Sequence, residues 1–232
     1  MQIKLDSKPK NPIIVEGFPG FGLVGTIATE FLVRHTDAKE IGRIRVQELP
    51  PVVAVHGGTA IEPIGIFYSK KYNLLIIYAL SSVQGLEWQL ADAIVEIAKD
   101  LKAKEIISLE GVGSQAAIKE SRTFYMSTHK KFKAIGNIEP LKEGIIMGVT
   151  GALLLQKDLN VTSLFAETHS ALPDSRAAAK IIRALDQYLG LKVDYEPLLE
   201  KAKEFEDKIQ GLVEKARVAT QTQKKKEPNY FG

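Results

Sequence analysis

The apolar positions of the chain change their period several times, and each change predicts an element. Asn11 to Gly17 (NPIIVEG) is a short apolar run between a proline and a glycine cluster, the pattern of a buried strand. From Leu23 to Arg34 the apolar residues Leu23, Val24, Ile27, Ala28, Phe31 and Leu32 fall on one face of a helix. Four runs rich in β-branched and aromatic residues follow: Glu40 to Leu49, Val52 to His56, Ile61 to Tyr68 and Asn73 to Leu80. Short breaks at Pro50-Pro51, Gly57-Gly58 and Lys70-Lys71 separate them, so they read as hairpins in a sheet that is at least partly antiparallel.

Beyond residue 85 the period returns to that of a helix, with Leu90, Ala93, Ile94, Ile97, Ala98 and Leu101, and Glu105 to Leu109 then reads as a buried strand. Met147 to Leu155 predicts an apolar helix, Val161 to Ala166 a strand, and Asp174 to Leu189 a helix capped by Asp174 or Ser175 and ended by Gly190. Helices alternating with strands in this order predict a three-layer α/β domain with a mixed sheet over residues 1–193. A heptad helix over 194–218 and a flexible tail over 219–232 complete the expected organisation.

Composition narrows the chemistry. The 45% hydrophobic and 25% charged residues are those of an ordinary globular protein, and the absence of cysteine removes disulfides, thiol catalysis and thiolate metal sites. A net charge of +3 spread over interleaved lysines and acids makes no field suited to nucleic acid. The longest apolar run, Leu74 to Leu80, is far shorter than the roughly 18 residues that span a bilayer, and the polar start of the chain predicts a cytoplasmic protein with no membrane partner. The four histidines, His35, His56, His129 and His169, include no pair at metal-ligand spacing, so no metal or cofactor is expected.

Gly20, Gly22 and Gly25 stand in a Gly-x-Gly-x-x-Gly pattern between the first strand and the first helix. Two readings are open: backbone amides that hold an anion, with Glu110, Arg122 and His169 around the same crevice, or glycines that let the helix lie close to the strand. The first makes the protein a phosphorylase-like or nucleotide-binding enzyme; the second does not. No Walker lysine, nucleophile elbow or paired catalytic carboxylates accompany the loop, so no catalytic residue is assigned.

Three segments, GFPGFGLVG at 17–25, GVTGALLL at 148–155 and Glu167-Thr168-His169 with Pro173-Asp174-Ser175-Arg176-Ala177-Ala178, resemble the archaeal and bacterial branch of the proteasome assembly chaperone 2 family, in that family's order. The resemblance implies a fold similar to nucleoside phosphorylases, used in protein assembly without enzymatic activity.

In the arm, Leu198, Ala202, Phe205, Ile209, Leu212 and Ala216 alternate steps of four and three, the a/d pattern of a coiled-coil seam, with Lys201, Lys208, Lys215 and Glu206 on its flanks. The seam reads either as a homo-oligomer interface or as a face packed on its own domain; the family resemblance suggests a tetramer. The terminus Tyr230-Phe231-Gly232 resembles the hydrophobic-tyrosine-any-residue ending with which proteasome activators dock between α subunits of the core particle, with Phe231 where that motif prefers tyrosine. The expected function is therefore to bind the proteasome core particle, as an assembly chaperone or an ATP-independent activator.

Overall fold

The chain begins with β1 (Gln2–Leu5) and β2 (Ile13–Gly17), enters α1 (Val24–His35) through a single 3-10 turn at Phe21–Leu23, and continues into β3 (Lys39–Arg45). The computed structural model describes residues 1–49, 53–56, 59–80, 83–113, 122–129, 132, 138–168, 172–200, 204 and 207–215. After β3 come β4 (Ala54–His56), β5 (Thr59–Ile61), β6 (Ile64–Ser69), β7 (Leu74–Ala79), α2 (Glu87–Leu101) and β8 (Glu105–Gly113). Then follow β9 (Thr123–Ser127), β10 (Glu139–Pro140), α3 (Gly148–Leu154), β11 (Val161–Thr168), α4 (Ser175–Leu189) and α5 (Glu196–Glu200).

Nine strands form one mixed sheet in the order β1-β3-β6-β7-β2-β8-β11-β9-β10. Its centre, β7-β2-β8-β11, is parallel, because each link there passes through a helix; β1, β3, β6 and β7 pair antiparallel, and of these only β6 and β7 are joined by a short turn. The central strands are covered on both faces, which is why β7 reads as an unbroken apolar run. One face carries α1 and α4 over Val15, Ile76, Ile107 and Leu164, and the other carries α2 and α3 over Ile14, Ile77 and Ile106. The expected three layers are therefore present.

Four elements depart from the sequence reading. β1 is a strand of alternating exposure whose Lys4 and Gln2 make the stretch look merely polar. The run Ile61 to Tyr68 is two strands, because Pro63 restricts its neighbour and donates nothing to a ladder; β4 and β5 pair with each other as a separate ribbon. β8 continues past Leu109 to Gly113, since β11 pairs with it along its whole length. β9 is antiparallel to β11 and half-buried, too mixed in polarity to announce itself as a strand.

The arm packs on its own chain. Leu198 and Ile209 are fully buried in the α1/α4 core with Val213 against them, and Lys208 Nζ lies 3.1 Å from Glu30 Oε1 of α1, a carboxylate that also pairs with Arg34. Of the two readings of the seam, Leu198 and Ile209 follow the one packed on its own domain, and an a/d spacing fits packing on a helical layer as well as it fits a partner helix. Leu212 is half-buried, while Ala202, Phe205 and Ala216 lie outside the described residues. Ile209→Ala should lower unfolding free energy by about 2–4 kcal/mol in a denaturant titration; a change below about 0.5 kcal/mol would show that the arm is not part of the core.

Candidate functional site

The glycine loop sits at the carboxyl ends of β2 and β8, where α/β sheets place ligands. Here the space is taken by protein backbone. A Cβ on Gly25 would stand 2.3 Å from the Leu109 carbonyl oxygen, so the first turn of α1 rests directly on β8. Gly22 has φ +64°, in the left-handed region, and a Cβ there would stand 2.8 Å from Thr168 Oγ1 at the end of β11. Its carbonyl accepts the Asp174 amide hydrogen at 2.9 Å, and the Asp174 carboxylate in turn accepts the Ala177 amide at 2.9 Å as the cap of α4. The loop that resembles a phosphate cradle is a tie between α1, β8, β11 and α4.

The candidate anion ligands are dispersed by the same packing. Glu110 lies inside β8 rather than in a loop after it, and its Oε1 would be 3.1 Å from a Cβ on Gly20, so a carboxylate occupies the place an anion would need. Arg122 points to β11, where the Glu167 carboxylate takes its Nε at 3.1 Å and its Nη2 at 2.8 Å in a bidentate pair. His169 lies outside the described residues. Of the residues expected around an anion, Gly22 and Gly25 are thus engaged in packing, Gly20 faces the Glu110 carboxylate, and Arg122 is paired with Glu167. Among the described residues no three His, Asp or Glu side chains are placed to hold a metal.

One group was overlooked by the sequence reading: Glu16, the acid inside the NPIIVEG strand. It is buried beside Ser108 of β8, with Oε1 unpartnered, and burial pushes its carboxyl up to about 8 with the nearby Glu110 adding to the rise. Burial also raises Glu110, opposed by a hydrogen bond from Thr150. Ser108 Oγ and Thr150 Oγ1 are 2.7 Å apart. The two hydroxyls stand between the two carboxyls, with Ser108 hydrogen-bonded to Glu16 and Thr150 to Glu110. This chain joins β2, β8 and α3 beside a cavity of about 190 Å³ lined by Phe18, Pro19, Val83, Glu110 and Thr150. A lone acid in an otherwise apolar strand was the available signal.

The three segments singled out by their resemblance thus meet at one edge of the sheet: Gly22 and Gly25 from the first, Thr150 from the second, and Thr168 and Asp174 from the third. Comparison with known proteins accords with that convergence. The model of the PAC2 family matches residues 14–213. A protein of Methanocaldococcus jannaschii is 28% identical over 235 residues, covering 96% of this chain and 94% of its own length. The crystal structure of Pyrococcus furiosus PbaA, described as an archaeal homolog of proteasome-assembly chaperone, superposes with a TM-score of 0.84 at 30% identity, covering 94% of this chain and 99% of that one. Pyrococcus furiosus PbaB, described as an archaeal proteasome activator, shares the fold with a TM-score of 0.74 at 23% identity over 91% of this chain and 98% of its own.

Two outcomes follow from this junction. Gly25→Ala should cost about 3 kcal/mol, the upper end for overpacking, as a lowered denaturation midpoint, because backbone at Leu109 cannot step aside; unchanged stability would mean that α1 does not lie on β8. For Glu16, the folded state keeps its proton up to pH about 8 and the unfolded chain only to its ordinary 4.5, so its contribution to stability falls as pH rises between those values and is level above. The slope reaches roughly 1.4 kcal/mol per pH unit. Glu16→Gln, which keeps the side chain's shape and hydrogen-bonding capacity but cannot ionise, should remove that slope from unfolding curves measured between pH 5 and pH 8, and an identical slope would assign it to other groups.

Proposed function

The chain belongs to the PAC2 family, and on that premise we propose that it is a non-enzymatic protein that engages the proteasome core particle, as an assembly chaperone or an ATP-independent activator. The observation that carries the reading is the 30% identity with PbaA across nearly the full length of both chains. The backbone-filled glycine loop supports it from the other side, because the loop that suggests an enzyme is consumed by packing.

The contact we assign to the partner is the C-terminal tip. Tyr230, Phe231 and Gly232 follow a polar, lysine-rich stretch and lie outside the described residues. The terminal carboxylate would meet a cationic pocket between α subunits, and the aromatic rings would fill the groove beside it. The chain works as a homo-oligomer, with a tetramer the expected form, so that several weak tips act together by avidity. Read from its sequence as a tail, the stretch 219–232 would average roughly 20 Å end to end, slack enough to reach separate pockets on a ring.

Deleting Tyr230 to Gly232 should abolish or sharply weaken binding to immobilised core particle in surface plasmon resonance, with melting temperature unchanged. Phe231→Tyr should tighten binding through one added hydrogen bond, about 0.5–1.5 kcal/mol, and Phe231→Ala should weaken it. Equal affinities for the full and shortened chains would refute docking by the tip.

A further inference from the structure

On the α2/α3 side of the sheet, the carboxyl ends of β2 and β8 meet the first turns of α2 and α3 around the cavity of about 190 Å³. That volume is several times the roughly 30 Å³ share of one water, and it lies below the roughly 300 Å³ at which pockets for drug-sized ligands and cofactors begin. A nucleotide is therefore too large for it. Its polar lining is Gln84, Glu87, Glu110 and Thr150, and among the described residues around it there is no lysine, arginine or histidine. Further in, Glu16 pairs in register with Ser108, whose hydroxyl is 2.7 Å from that of Thr150 on the cavity wall. Glu16 is 1% exposed and its Oε1 has no hydrogen-bond partner, whereas a buried carboxyl with only a packing role is normally satisfied.

We propose that this cavity binds a small primary alkylammonium ion, the chemistry shared by a free amine and the end of a lysine side chain. Charge selects sign and valence. A helix N-terminus is worth at most about +0.5, so α2 and the short α3 together supply no more than about +1 against the carboxylates of Glu87 and Glu110. The remainder, about −1, matches one monovalent cation and repels phosphate. A divalent metal is not matched, since among the described residues no three acids or histidines are placed to hold one. The walls select an alkyl chain, because Phe18, Val83 and Val149 offer it apolar contact that a bare inorganic cation leaves unused. The ammonium hydrogens suit the acceptors present, the Glu110 carboxylate and the Thr150 hydroxyl oxygen. Burial raises both Glu16 and Glu110, so an entering cation also relieves the cost of ionising a carboxyl there.

The test is a titration of the ¹⁵N-labelled full chain with n-butylammonium chloride at constant chloride concentration. The amide signals of Gly148, Val149 and Thr150 should shift and saturate, with a dissociation constant on the order of a millimolar for so few ligand atoms. n-Butanol, of the same shape without the charge, and butyrate, of opposite charge, should leave them in place. Glu110→Gln should weaken binding at least 10-fold. If that variant does not fold, the comparison of butylammonium with butanol on the parent protein decides. A parallel titration with N-acetyl-lysine amide separates the sources: equal shifts assign the site to lysine side chains, and shifts with butylammonium alone assign it to free amines. No saturable shift at tens of millimolar, an equal response to butanol, or unchanged affinity in folded Glu110→Gln would each overturn the site. No proteasome is present in these titrations, so their outcome is independent of the partner proposed above.

Discussion

The contact on which the rest depends is the seat of α1 on the backbone of β8. Helices usually stand off a sheet by the length of their side chains, and here Gly25 brings the helix backbone against the Leu109 carbonyl with no room for a methyl group. Once α1 is held that low, the turn before it must reverse within two residues, and Gly22 does so in a left-handed conformation against Thr168. The Gly22 carbonyl is then presented to the cap of α4, so one close approach orients both helices of that layer. The same approach fills the space between the glycine turn and β8 with backbone.

The two faces of the sheet have different chemical characters. The α1/α4 face is completed by the C-terminal arm, whose Leu198 and Ile209 extend the core and whose Lys208 joins Glu30 and Arg34. Its ion pairs converge on the buried Glu30 carboxylate, which Arg34 and Lys208 both approach. The α2/α3 face instead has a buried hydrogen-bonded chain from Glu16 through Ser108 and Thr150 to Glu110, and apolar side chains left in solvent. A buried carboxyl that keeps its proton near neutrality avoids the cost of an unpaired charge, while still fixing the register of β2, β8 and α3 through directional hydrogen bonds.

Much of this was legible in the amino-acid sequence because it is periodic or locally capped. The apolar stripes of α1, α2 and α4, the Asp174 cap and the Gly190 stop follow from spacing and residue type, and alternating helices and strands imply three layers. β1 and β9 escaped because a half-buried strand at or next to the edge of a sheet takes its identity from its neighbours rather than from its own composition. The role of the glycines stayed open for a related reason, since Gly-x-Gly-x-x-Gly describes a backbone that something approaches closely, and sequence does not say whether that is a phosphate or a strand.

What the sequence determined by itself, then, was the class of fold and the residues that matter at its ends: the turn glycines, the cap, the heptad spacing and the aromatic tip. Only the tertiary structure decided what those residues meet. It placed Leu109 under Gly25, Glu110 beside Gly20, Glu167 on Arg122, and the domain's own core around Leu198 and Ile209. It also separated a stripe that is buried from a patch that is not, as at Trp88 and Met147. The physical reason is that periodicity encodes which face of an element is apolar, whereas the partner of that face is chosen by contacts between residues far apart in the chain, such as Gly22 with Asp174 and Glu30 with Lys208.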